Sequence, residues 1–183
     1  MKMNNDSQIR DVYAHFGLAI YLAQCLEQSI FIHLMFFDFF PRNAKNFKDR
    51  MHWEQAFDHY ESTELGKTMG RLIQKLKDAG QPTDEIKAVL ANVLIERNRL
   101  AHKYFAENSI AFVTEAGRKK MIAELETIQD LFRTAAAMID AITTPVARRY
   151  GFTEKMERQA MQEMMDTYTK DSIVNQNNPN EPG

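Results

Sequence analysis

Apolar residues in this chain recur in alternating steps of four and three over most of its length, a period that admits little besides helices. Val12, Phe16, Ala19, Ala23, Leu26, Ile30, His33 and Phe37 form the first such stripe. They predict one long helix, ended by Pro41 and the following RNAKN. A shorter helix is expected over about 46–60. Leu65, Met69, Leu72 and Leu76 mark the next, entered at Ser62-Thr63 and stopped at Gly80. Pro82-Thr83-Asp84-Glu85 reads as a helix start with Thr83 as N-cap and acids in the first turn. Ile86, Leu90, Val93, Leu100 and Tyr104 then share one stripe. Beyond a loop through Glu107-Asn108-Ser109, Thr114-Glu115 opens another long helix, traced by Met121, Leu125, Ile128, Phe132, Ala135, Ile139 and Ile142. Pro145 is expected to kink or restart it, because proline lacks an amide donor and crowds the preceding turn. Gly151-Phe152-Thr153-Glu154 sets off a final helix carrying Met156, Ala160, Met164 and Tyr168.

Helices joined by connections this short pack as antiparallel neighbours, so the expected fold is all-α, an up-and-down bundle of about five to six helices. Residues 1–150 would form the bundle, 151–173 an additional C-terminal helix packed on the same domain, and 174–183 a polar, disordered tail. A net charge of -2 argues against a generally basic nucleic-acid binder and leaves room only for local contacts. Cys25 is the single cysteine, which excludes an intramolecular disulfide and a thiolate cluster for zinc. The N-terminal MKMNNDSQIR lacks the apolar core of a signal peptide. The most apolar run, SIFIHLMFFDFF, includes His33 and Asp38 and falls short of the roughly twenty residues that span a bilayer. The expectation is a cytoplasmic protein with no membrane partner.

One residue breaks the apolar pattern. On the stripe Ile86, Leu90, Val93, Leu100, Tyr104, the helical period places Arg97 near the centre of the buried face. A guanidinium held against a core needs an acid, a helix end, a cleft or a partner chain; Glu27 and Asp58 are the candidate acids. Asn98 and His102, four apart, stack on one flank of that face. Asn92, Glu96, Arg99 and Lys103 fall opposite and read as solvated, as do Arg118-Lys119-Lys120 and Arg148-Arg149.

The string ERNRLAHKYF resembles the motif of HEPN-domain proteins, Arg-x4–6-His, often with a polar residue straight after the arginine. Arg97-Asn98 and His102 fit it, and Lys103-Tyr104 extends it to the Arg-x4-His-x-Tyr form of HEPN toxins paired with minimal nucleotidyltransferase antitoxins. The flanks HFGLAIYLAQCLEQ, ELGKTMGRLI and FVTEAGRKKMIAEL are similar to an uncharacterised bacterial HEPN-like family, and the resemblance covers about residues 10 to 140. It implies a homodimeric, metal-independent endoribonuclease of toxin or defence type with no cofactor. Arg97 and His102 of both protomers would be catalytic, Asn98 and Tyr104 supporting or binding. RNA would be the substrate, and a nucleotidyltransferase-type antitoxin a possible partner. Members of the family that bind rather than cut are common, so a non-catalytic interaction or nucleotide- or RNA-binding module is the alternative.

Other chemistries find little support. There is no HExxH, no ExxH pair and no glycine-rich phosphate loop. His52 and His59 read as a solvated face with Trp53 and Phe57 turned inward, and Gly66 and Gly70 as sites of close helix packing. His15 and His33 read as core or interface histidines.

Overall fold

A computed structural model describes residues 2–65, 67–80 and 84–177, and among them every regular element is helical. The long helices are α1 (Lys2–Leu34), α2 (Arg50–Leu65), α3 (Met69–Asp78), α4 (Asp84–His102), α5 (Glu115–Arg149) and α6 (Glu154–Asn177). Shorter turns join them at Phe40–Asn43, Tyr104–Glu107 and Ser109–Val113, which the periodicity does not foresee. The chain divides into two compact units, Met1–Thr143 and Thr144–Gly183.

The first unit is an all-helical bundle. Val12, Ala19, Leu26 and Ile30 from α1 meet Met69, Leu72 and Leu76 from α3 in its core. Leu90 and Val93 from α4 and Leu125, Phe132 and Ile139 from α5 complete it. Each of these side chains larger than alanine contributes about 1.5–3 kcal/mol by leaving water, and truncating Phe132 to alanine would cost about 3–5 kcal/mol. Side-chain pairs give the helix directions. Glu27 meets Arg97 and Phe16 meets Tyr104, so α4 runs antiparallel to α1. Arg99 meets Glu124 and Tyr104 meets Met121, so α5 runs antiparallel to α4. Gln8 meets Arg118 and His33 meets Thr143, which leaves α1 and α5 parallel.

Several local expectations change. Pro41 does not end the first helix at once: α1 passes into a π-helical turn, Met35–Phe39, then Phe40–Asn43 and a 3-10 turn, Ala44–Asn46. The amide of Phe40 reaches back to the Met35 carbonyl, so the extra residue loosens the ladder just ahead of a proline that has no amide to offer. Ser62 and Thr63 lie inside α2, and the break falls later, before Met69. The helix of the motif stops at His102; Lys103 departs from helical geometry (φ -133°) and Tyr104 begins a new turn. Helical continuity also makes Asp6–Asn46 long and apolar enough to cross a membrane by length and composition alone. The unbroken apolar run does not reveal that, although the inner stripe of this segment is core.

Other expectations hold. Gly80 takes φ +72° just past α3, where only glycine is unstrained. Thr114 caps α5 by accepting the Gly117 amide at 3.0 Å. Gly70 is an exception: a methyl there would meet Leu94 at 3.6 Å, ordinary contact, so the packing of α3 on α4 does not require glycine. The proposed caps Pro82 and Thr83, and Gly66, lie outside the described residues.

In the second unit the last turn of α5 includes Pro145 without a restart. Gly151 (φ +88°) then turns the chain, with its amide on Arg148 O and that of Phe152 on Ala147 O. Thr153 accepts the Met156 amide and opens α6, with an ion pair between Arg148 and Glu154 alongside. α6 extends to Asn177, past the expected 173, and the rest of the expected tail lies outside the described residues.

Candidate functional site

α4 carries Arg97 beside α1, partly buried, where the helical period puts it near the centre of the buried face. Its Nε lies 3.4 Å from Glu27 Oε1, with both side chains about three-quarters buried. This is an ion pair without a hydrogen bond, and Glu27 Oε1 is buried with no hydrogen-bond partner among the described residues. Burial therefore raises the Glu27 carboxyl above its ordinary range, against the opposing pull of Arg97. Glu27, not Asp58, is the acid that answers the buried arginine. Because the contact uses Nε, the outer fork of the guanidinium remains directed elsewhere, with Nη1 3.5 Å from Asn98 Oδ1.

Asn98 and His102 are exposed, one turn apart on the same side of α4. His102 closes the helix, and its side chain has no hydrogen bond or ion pair among the described residues. The structure thus joins Arg97 to Asn98 and leaves His102 on the neighbouring surface, open to solvent.

Tyr104 is different. It is 1 % exposed, its hydroxyl donates to Met121 O at 3.2 Å, and its ring packs against Phe16 and Phe105. Burial, with the Glu124 charge nearby, pushes its phenol well above the ordinary range. The supporting or binding role expected of Tyr104 becomes a packing one: it is buried, as its place on the apolar stripe implies, and its hydroxyl pins α5 to the motif segment.

Arg99 also departs from expectation. Its guanidinium reaches Glu96 at 3.1 Å, Glu107 at 2.7 Å and Glu124 at 2.6 Å, and lies over the Tyr104 ring. Only Glu96 is a helical neighbour, so the network was invisible to pattern reading. Arg118 is likewise buried, donating to Phe112 O (3.0 Å) and Gln8 Oε1 (3.2 Å), not solvated.

Sequence reading missed a second polar cluster. Asp38, in the π-helical turn, and Glu64, near the end of α2, are both buried around Lys75 of α3, at 3.1 and 2.5 Å. Arg42 and the Tyr60 hydroxyl also bind Asp38, and Lys67 binds Glu64. Burial alone would raise the Glu64 carboxyl, but Lys67 and Lys75 overcome it and hold it low. With donors and acceptors matched this fully, the cluster clamps the irregular end of the first helix to α2 and α3.

His33 is fully buried and stacked on Phe37. Thr143 Oγ1 donates its one proton to Ile139 O, so His33 Nδ1 must donate to it, at 2.8 Å. Its Nε2 is then a bare acceptor with no partner among the described residues, and burial lowers its pKa to about 4. It is a core histidine. His52 and His59 are exposed beside half-buried Trp53 and Phe57.

Compared with family models, with curated proteins and with solved structures, the chain matches none.

Proposed function

We propose that this chain is a HEPN-like, up-and-down helical bundle that acts in the cytoplasm as a homodimeric, metal-independent endoribonuclease of toxin or defence type. One observation carries the reading: Arg97 is anchored through Nε by Glu27 while Asn98 and His102 stand open beside it. Arg97 offers a phosphate-binding fork, and His102, about 140° around the helix from it, a proton carrier on the neighbouring surface.

In the reaction the ribose 2′-OH attacks the adjacent phosphorus, which needs a base, an acid for the departing 5′-oxygen, and a cation for the phosphorane. One copy supplies a single His102. A two-fold dimer bringing α4 beside its mate supplies the second, and the outer surface of α1 suits such burial. Between Asp11 and Glu27 it holds no Asp, Glu, Lys or Arg, yet Tyr13, Leu18 and Tyr21 are exposed there. RNA is the substrate in this reading, and a nucleotidyltransferase-type protein a candidate antitoxin.

The test is cleavage of mixed RNA by the purified dimer. Wild type should cut in EDTA and leave 2′,3′-cyclic phosphate ends, while His102→Ala and Arg97→Ala should each lose activity with the dimer intact. Cleavage unaffected by His102→Ala would sink the assignment. The Arg97–Glu27 pair also favours a second reading, a non-catalytic RNA- or nucleotide-binding module in which Arg97 is structural. That reading expects no cleavage by wild type and a marked loss of stability in Arg97→Ala.

A further inference from the structure

Where the first helix gives way to α2, the chain builds an aromatic and basic surface that the ribonuclease chemistry does not use. Trp53 packs on Phe39 and Phe40, with ring centroids 5.2 and 5.3 Å away. The start of α2 is fixed by Asp49, which accepts the His52 amide at 2.8 Å through its side chain. Phe47 turns back toward Trp53, at 6.1 Å and 56°, yet stays 60 % exposed. Ala44, Phe47, Arg50 and Trp53 line a cleft of about 540 Å³ between them.

The charge around this cleft runs against that of the whole chain. From Pro41 to Trp53 there are four exposed cations, Arg42, Lys45, Lys48 and Arg50, and one acid, Asp49, in a protein of net charge -2. Arg42 and Arg50 are tied to Asp38 and Glu54. Lys45 and Lys48 flank the aromatic residue on either side. An aromatic wall with exposed lysines beside it in the chain suits a single nucleic-acid strand, the rings taking a base and the cations the phosphates. A membrane surface would instead need the apolar side chains to project together, whereas Phe47 folds back to wall a concavity.

We infer that this cleft binds single-stranded RNA, one base stacking on Phe47 with the adjoining phosphates on Lys45 and Lys48. The choice of RNA over DNA rests on the ribonuclease reading; the stacking and charge do not.

The test is fluorescence anisotropy with a 5′-labelled RNA of about 12 nucleotides and mixed sequence, within the span of a single-strand site, on the full-length His102→Ala protein so that the probe survives. Phe47→Ala should weaken binding about ten-fold, as the loss of one stacked base predicts. Lys45→Gln with Lys48→Gln should lower the slope of log Kd against log salt by about 1.4. Lys45 and Lys48 are exposed, so the double lysine variant should keep its melting temperature. Phe47→Ala, which gives up only a ring contact with Trp53, should melt within a few degrees of the parent. Equal affinity for the parent and Phe47→Ala would overturn the inference. So would the absence of RNA binding together with Phe47-dependent sedimentation on phosphatidylserine vesicles. If wild type never cuts but binding depends on Phe47, the ribonuclease reading fails and this site stands. If wild type cuts while Phe47→Ala binds normally, the reverse holds.

Discussion

Acidification should destabilise the bundle through His33 before the carboxylates take part. Burial holds its pKa at about 4, against 6.5 for an exposed imidazole. The unfolded chain therefore takes up a proton that the folded one refuses. A depressed folded pKa gives stability that is full above the unfolded value and is lost as pH falls toward the folded one. Between pH 7 and pH 5 the linkage integral comes to about 2 kcal/mol, and over the whole window to pH 4 it approaches about 3 kcal/mol. For a domain of this size about 2 kcal/mol lowers Tm by roughly 4–8 °C. The assay is urea unfolding at several pH values for wild type and His33→Gln, which carries no titrating group at that position. The variant will be less stable everywhere, because it loses the Phe37 stack, so the comparison is between slopes. Wild type should lose about 2 kcal/mol more than His33→Gln from pH 7 to pH 5. Parallel curves would refute the reasoning and mean that water reaches Nε2 or that the ring is already charged.

Arg99→Ala should lower Tm by several degrees, because it leaves Glu96, Glu107 and Glu124 facing one another half-buried. Lys119→Ala, which removes an exposed pair with Glu115, should leave the melting temperature nearly unchanged in the same thermal melts. Gly117→Ala should cost about 1–3 kcal/mol or more, since the new methyl would overlap the Ala111 carbonyl, a backbone group that cannot swing away. Gly70→Ala meets only Leu94 at 3.6 Å and should be neutral or slightly stabilising; denaturant midpoints for the two glycine variants check both.

The helical period was enough to locate most of the core, because each helix shows one face inward and the stripe repeats it. It also isolated Arg97, and the need to pair a buried guanidinium pointed to Glu27 or Asp58, of which the structure pairs it with Glu27. Partners from distant elements lay beyond its reach. Glu124 comes to Arg99 from α5, and Lys75 comes to Asp38 from α3. Nor does the pattern register a helix that slips by one residue. The π-helical turn at Met35–Phe39 shifts the chain beyond it, and so Asp38 is buried in a role its neighbours did not announce. The period also put Tyr104 on the buried stripe, where the structure has it, but its bond to the Met121 carbonyl lay beyond the pattern.

The parallel pairing of α1 with α5 sets a clock on biosynthesis. Gln8 and His33 find their partners in Arg118 and Thr143, each 110 residues later in the chain. At about 5–20 residues per second, a ribosome delivers those partners some 5–20 s after α1 has emerged. For that interval the first helix can pack on α3 and α4 as they emerge, but the face that α5 covers stays open. A nascent chain in that condition is exposed to self-association, and a holding chaperone on its first helix would govern yield more than the stability of the finished bundle does.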